Sequence, residues 1–492
     1  MGIDREYLYK AWPGSNEKNP PAGKTPIAVN VGWTWRLALA CISTTVGACI
    51  PVGYMLGVVN TPAAIIKEWC NETVAERYDV VLTESGVNVL WSAVVSIFLV
   101  GGMIGSLSGA FIANKIGRKG TMILGEACFL VAATLFFLSK PLGLIEFLFA
   151  GRLVAGLCSG LITAVTPMYL TELAPVTLQG ATGVLCPMGL CFGVFFAQVM
   201  GLNSILGTVE SWNILLSLYA ILVMFSLVTL PWMSESPKYC DSIRKDRMRA
   251  IKELCKLREL PPEIVVHELD DVKNGDGQRE RWSVLRLLKD RDLRLNLALV
   301  CALQAGQQLS GINAVFYYST DIFENAGLST PHAQYASLGA SFLNFAIAVI
   351  MIPIVNHQPR RFMALLSTSL STFWLVSLTI FILNMKTYSF MSYMSVVGVL
   401  CYVVCYGLGL GPIPYFIGTE LFEVGPRPSA MALGSVCNWG GNFLVGMTFL
   451  VVQNAIGAYS FLIFAASTGL LTLFLLCCLH ETNAKVLAER EN

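Results

Sequence analysis

Charge is what this sequence has least of. Only 13% of its 492 residues are Asp, Glu, Lys or Arg, too few to clothe a soluble chain of this length. The 33 Lys and Arg nearly cancel the 32 Asp and Glu, leaving a net charge of +1, so no basic face is offered to nucleic acid and none is expected as a partner. Cysteine is present at 15 positions but lacks metal-ligand spacing. The thiols fall mostly as singles inside apolar segments and read as small core residues, with neither metal nor cofactor expected. No nucleophile can be paired with a base and no phosphate loop is visible, which argues against an enzyme. The first thirty residues lack the apolar stretch of a cleavable signal, so the first span is expected to direct insertion. Glu6 stands where a myristoylation signal needs Ser or Thr.

What fills the sequence is apolar: 55% hydrophobic residues and a mean hydropathy of +0.62 describe a multi-pass protein whose solvent is the lipid bilayer. Runs of bilayer length lie near 37–59, 87–112, 121–139, 145–170, 180–201 and 212–232, and again near 294–319, 334–355, 362–384, 391–418, 429–452 and 458–479. The expected fold is all-α, with twelve transmembrane helices arranged as two six-helix bundles. Residues 1–36 form an N-terminal segment, 37–233 the first bundle, 234–293 a charged linker with short helices, 294–479 the second bundle and 480–492 a tail. Lys115, Arg118, Lys119, Arg360, Arg361, Arg427, Lys485 and Arg490 share a side with the linker, against Lys67, Arg77, Lys140 and Lys386 opposite. By the positive-inside rule the linker and both termini are cytoplasmic. The first outer loop then carries Asn71-Glu72-Thr73, an N-glycosylation acceptor.

The two halves repeat. Gly117-Arg118-Lys119 is echoed by Pro359-Arg360-Arg361, Arg to Arg at 242 residues, and Glu172 after Pro167 by Glu420 after Pro414, at 248. Glu235 in Ser234-Glu235-Ser236-Pro237-Lys238 is echoed by Glu481 in His480-Glu481-Thr482-Asn483. Parallel repeats of this kind place a substrate site between the halves near the midplane, reached by alternating access. The basic turns and loop carboxylates, with Lys238 and Arg427, are candidates for ion pairs at an inner gate. The rival reading is surface salt bridges of little energetic weight.

One stretch does not suit hydrocarbon: Gln307-Gln308-Leu309-Ser310-Gly311-Ile312-Asn313, followed by Tyr317-Tyr318. Gln304, Gln307, Gln308 and Gly311 recur at helical spacing and set amides on one stripe. Buried in lipid, such groups need a polar partner, either another helix or a substrate. The stripe, together with Gly151-Arg152 through Glu172, Gly411-Pro412-Ile413-Pro414, Gly425-Pro426-Arg427-Pro428 and Asn438-Trp439-Gly440-Gly441-Asn442, resembles the facilitative glucose transporters, sugar porters of the major facilitator superfamily.

That resemblance runs along nearly the whole chain. It implies the major facilitator fold and passive transport of a hexose across the plasma membrane, with a monosaccharide as partner and a weak homo-oligomer left open. It assigns sugar hydroxyls to Gln307, Gln308, Asn313, Asn344 and Asn438, and pocket positions to Thr163, Trp439 and Tyr415. Gln304 joins them through the amide stripe. Tyr317 and Tyr318 match an outer gate, with an interfacial aromatic belt as the alternative. Proton-coupled relatives carry an Asp where this chain has Met55 in Gly53-Tyr54-Met55-Leu56-Gly57, and Glu126 and Glu146 are read as lying toward helix ends, so uniport is expected.

The chain also departs from the family. Pro187 replaces a glutamine ligand and should kink its helix. Gly407 replaces a glutamate, Leu410 a proline, Tyr415 a tryptophan and Gln179 an arginine, while Leu56 replaces a small polar residue. Glucose or a close relative is the first expectation. A facilitator for fructose, a polyol or dehydroascorbate, or a non-transporting sugar-binding receptor, are the alternatives.

Overall fold

Hydrocarbon offers a backbone no hydrogen-bond partner, so apolar runs of this length must satisfy their own N–H and C=O groups within helices. The computed structural model describes residues 32–275, 282–355, 358–422 and 425–482, and among these there is no strand. Seven helices precede the linker: α1 Trp35–Gly57, α2 Ala63–Tyr78, α3 Glu84–Ile116, α4 Arg118–Ser139, α5 Ile145–Leu173, α6 Gln179–Met200 and α7 Trp212–Trp232. The linker holds α8 Pro237–Ser242, α9 Arg247–Arg258, α10 Pro262–Gly275 and α11 Val284–Lys289. The second half comprises α12 Arg294–Leu309, α13 Ile312–Asn325, α14 Thr330–Val355, α15 Arg360–Asn384, α16 Met391–Leu408, α17 Ile413–Leu421, α18 Arg427–Ile456 and α19 Ser460–Cys478.

Every expected apolar run lies on these helices. Ten stretches among the described residues are long and apolar enough to cross a bilayer, the last of them, Arg427–Cys478, being α18 and α19 joined across Gly457. The seventh run is divided: α12 and α13 meet at Gly311, whose φ of 85° is left-handed and ends the first helix. Helix α6 is broken at Val184, between Gln179–Gly183 and Leu185–Met200. Pro187 accounts for the break, because its ring collides with the carbonyl four residues before it. Helix α1 loosens to a π turn over Thr45–Cys49, just before Pro51, which lacks the N–H to continue the ladder.

Small residues set the closest approach in the first half. A Cβ on Gly101 would stand 2.3 Å from the Leu153 carbonyl oxygen of α5, and one on Gly156 would stand 1.9 Å from that of Phe98 on α3. The two backbones therefore touch, which in lipid supplies dispersion contact that larger side chains would prevent. Arg152, fully buried on α5, hydrogen-bonds to backbone carbonyls. Its guanidinium donates to the carbonyls of Met55 (2.8 Å), Val94 (3.3 Å) and Val95 (3.2 Å) and lies over the Phe98 ring at 4.4 Å. Glu126 corrects the sequence reading. It sits about two turns inside α4, fully buried, accepting a 2.7 Å hydrogen bond from Ser226 of α7.

Candidate functional site

The amide stripe forms one connected network. The Asn438 side chain on α18 donates to Gln304 Oε1 at 2.9 Å and Gln307 Oε1 at 2.7 Å, while Gln308 reaches the same Gln307 oxygen at 3.4 Å. Asn313, beyond the Gly311 break, donates to Gln308 Oε1. The far ends are tied to the turn between α16 and α17. Gln307 Nε2 donates to the carbonyls of Leu410 (3.0 Å) and Gly411 (2.8 Å), and Gln304 Nε2 to that of Pro414 (2.8 Å). The Leu410 carbonyl is open because Pro414, in the first turn of α17, has no N–H to offer it, and that of Gly411 because the Tyr415 N–H turns to the Pro412 carbonyl. Gln304, Gln307 and Gln308 are buried, and Gln307 lies roughly 20 Å along the helix from the start of α12, about half a bilayer.

Sequence reasoning missed Tyr406, buried on α16 beside the Gln307 side chain, and Tyr402, which donates to the Ser310 carbonyl at 2.8 Å beside the Gly311 break. The signal was present: two tyrosines at i, i+4 in an apolar run are a polar stripe of the same kind as the glutamines. Asn442 was missed as well, and it accepts from the Tyr317 hydroxyl at 3.1 Å.

The other expected pocket residues are not part of this network. Thr163 returns its hydroxyl to the Ser159 carbonyl of its own helix, and Asn344 is buried on α14 against Cys191 of α6. Tyr415 is exposed at 52%. Trp439 is buried against the first half, edge-on to Phe98 and so close to Gly102 that a Cβ there would come within 2.3 Å of the indole. Gly407 is closed in by Ile347 of α14, whose Cγ2 stands 2.4 Å from where a Cβ would be. An aliphatic side chain thus occupies the place toward which the family glutamate would grow. Met55 is fully buried and Leu56 packs at the edge of the core.

Two ends of the bundle can be distinguished by the linker. At the distal end the halves interlock. Asn60 donates to Ser319 Oγ at 2.6 Å and accepts from the Thr320 N–H, and Lys67 of α2 pairs with Asp321 of α13 at 3.0 Å. Ser341 donates to Gln198 at 2.6 Å and Phe192 meets Phe345 edge-on at 5.4 Å. Tyr317 and Tyr318 are fully buried beneath this closure, Tyr318 donating to the Gly446 carbonyl at 2.7 Å and stacking on Phe449. Full burial is incompatible with a lipid-interface belt. Asn71 lies on α2, half-buried, with the Thr73 hydroxyl of the same sequon turned back to the Trp69 carbonyl.

At the linker end the repeat seen in the sequence reappears as geometry. Arg118 pairs with Glu172 at 2.9 Å and Arg360 with Glu420 at 3.2 Å. Glu235 accepts the N–H groups of Arg118 and Lys119, both at 3.1 Å, as Glu481 accepts those of Arg360 (2.8 Å) and Arg361 (3.2 Å). Each glutamate therefore caps the positive end of a helix. Ser236 and Thr482 donate to Glu172 and Glu420 at 2.5 Å each, completing both copies. Lys119 donates to the Met233 carbonyl, Arg361 to that of Leu476 and Arg427 to that of Phe422. Lys238 lies in the first turn of α8. The Arg118–Glu172 and Arg360–Glu420 pairs each lie within one half. Ser106 and Ser435, 2.6 Å apart, join the halves on the linker side of the amides.

A helical bundle of two repeated halves, with uncharged amides networked in the second half beside Trp439, which packs on the first, defines a secondary carrier of a polar, uncharged solute. Residues 40–492 match the family model described as sugar (and other) transporter. The mouse protein named solute carrier family 2, facilitated glucose transporter member 3 is 37% identical over 455 residues, 92% of this chain and 91% of its own. Human member 5 is 36% identical over 459 residues, 93% and 91% of the two chains. The chain belongs to the facilitative glucose transporter family of sugar porters. Its fold matches that of the Escherichia coli xylose transporter XylE in a partially occluded inward-open conformation, with a TM-score of 0.76 at 21% identity over 92% of this chain and 99% of that one.

Proposed function

We propose that the protein carries a hexose, glucose or a close relative, passively across the plasma membrane by alternating access, with linker and termini in the cytoplasm. The observation that carries this reading is the network of Asn313, Gln308, Gln307, Asn438 and Gln304, which contains no ionisable group. Among the described residues nothing donates to Oδ1 of Asn313 or of Asn438, so both can accept from sugar hydroxyls. A sugar entering the network replaces amide–amide bonds with amide–hydroxyl bonds of similar strength. The net cost of each exchange is small, as a low-barrier carrier requires.

Uniport is supported by Met55, a side chain that cannot exchange a proton, whose carbonyl serves Arg152. The interlocked distal end corresponds to a carrier closed outside, with Tyr317 and Tyr318 as the outer gate beneath it. The linker-end glutamates keep each half's basic turn in place as part of an inner gate. The two bundles are taken as 37–233 and 294–479, and Asn71 as a glycan site on the outer face. Ile347 against Gly407 narrows the wall and favours a selectivity different from that of relatives with an acid there. Fructose, a polyol and dehydroascorbate are therefore the alternative substrates.

Uptake of radiolabelled glucose, fructose and a polyol into proteoliposomes, wild type against Gln307→Ala, tests the proposal. Stereoselective uptake without current or pH change, weakened in the variant, is expected. No stereoselective uptake of any of them would reject it.

A further inference from the structure

At the linker end, outside the sugar path, α1, α4, α7 and α9 enclose a cavity of about 300 Å³ whose lining includes Arg36, Lys119, Trp232, Arg249, Glu253 and Lys256. Four cations and two acids line the cavity, so it is a net positive cleft that attracts an anion. Its acids do not balance them. Glu235 is spent on three backbone N–H groups, those of Arg118, Lys119 and Ser236, and Glu253 pairs with Lys256 at 2.9 Å. Among the described residues, neither Arg36 nor Arg249 has a carboxylate partner. Arg36 instead lies over the Trp35 ring at 4.9 Å.

The location narrows the anion. Arg249, Glu253 and Lys256 fall at i, i+4 and i+7 and share one face of α9. That face is fixed to α1 by the Thr34 hydroxyl, which donates to the Leu257 carbonyl at 2.7 Å. The opposite wall is the membrane flank of the bundle: Trp232 is 55% exposed, and Ile123, also lining the cavity, and Trp35 beside it are exposed too. A tryptophan-rimmed apolar flank beneath a basic cleft is shaped for a molecule with an anionic head and acyl tails.

We propose that this cavity binds the headgroup of an anionic phospholipid, its phosphate between Arg36, Arg249 and Lys256 and its chains along Ile123 and Trp232. The cytoplasmic orientation proposed above would give the site the leaflet richest in such lipids. The headgroup would tie α9 to the ends of α1, α4 and α7 and so brace the linker against the first bundle.

The test uses purified full-length protein in neutral detergent, where binding is read apart from transport and sidedness. Fluorescent short-chain phosphatidylserine and phosphatidylinositol bisphosphate are titrated, with phosphatidylcholine and inorganic phosphate as competitors. Saturable binding of the anionic lipids is expected. Each lost cation should weaken it about fivefold, and Arg36→Gln/Arg249→Gln/Lys256→Gln on the order of a hundredfold. Arg36→Lys/Arg249→Lys/Lys256→Arg should retain it, which separates loss of charge from loss of fold. Unchanged binding in the glutamine variant, loss in the charge-conserving variant, or equal competition by phosphatidylcholine would overturn the proposal. Full competition by inorganic phosphate at lipid-like affinity would overturn it too, reassigning the cavity to a soluble anion.

Discussion

The Lys67 ammonium lies 3.0 Å from the Asp321 carboxylate, joining α2 of the first half to α13 of the second at the distal end. Both side chains keep some water, at 16% and 21% exposure, so the pair's Coulomb energy is screened. Its importance lies in being made between halves. An interaction present in one state and absent in the other shifts their populations by its full worth. Asp321→Asn should therefore raise the fraction open at the distal end by up to about fivefold, or ~1 kcal/mol. Accessibility of a cysteine placed at Ser319 to an impermeant maleimide measures this; unchanged labelling would contradict it.

Asn438→Ala removes the donor that links Gln304 to Gln307. It leaves two buried carboxamide oxygens short of a partner and should cost the empty site about 1–3 kcal/mol in organisation. Uptake should show a KM raised roughly tenfold with protein abundance preserved. Thr163→Val, at a hydroxyl satisfied within its own helix, should change KM by less than about threefold by the same reasoning.

Gly102→Ala should impair cycling more than folding, because the new methyl would meet the Trp439 indole, a contact between halves. Gly105→Ala meets instead the Leu157 carbonyl oxygen at 2.0 Å, within one half, where backbone cannot give way. Overpacking of that kind costs about 1–3 kcal/mol or more and should lower the amount of folded protein. Thermal melting and uptake per folded molecule separate the two outcomes.

Cys240 and Cys255 lie in the small core of the linker helices, and burial pushes both thiols up to about 11. A raised value keeps them in the unreactive thiol form at neutral pH, since the thiolate population begins to grow only as pH approaches 11. Alkylation at pH 7.5 should run on the order of a hundredfold slower there than at an ordinary thiol, and normalise when the linker unfolds. Peptide mapping by mass spectrometry, with exposed Cys477 as reference, reads it.

How much of this was legible beforehand depended on whether a contact follows from local spacing. Gln304, Gln307 and Gln308 announce themselves because polar residues at helical period in an apolar run must face something polar. The Glu235 and Glu481 caps were visible as a repeat, since duplicated sequence implies duplicated geometry. Tyr406 carried a signal of the same kind in its spacing from Tyr402, whereas Asn442 was not found because its partner, Tyr317, lies on another helix far along the chain. Lys67 was read only as a charge setting orientation, and nothing in its neighbourhood points to Asp321. The position of Glu126 inside α4 was misjudged because helix ends are blurred in sequence, and half a bilayer is only about ten residues.

Arg152 of α5 ties itself to α1 and α3, yet each of its hydrogen-bond acceptors among the described residues is a peptide carbonyl. Side-chain substitutions at Met55, Val94 or Val95 leave those oxygens in place, so the junction's hydrogen bonding has a single genetic point of failure. Its partners are free to drift in sequence while it is not. Variation around the cation should be broad, and loss of the cation itself abrupt.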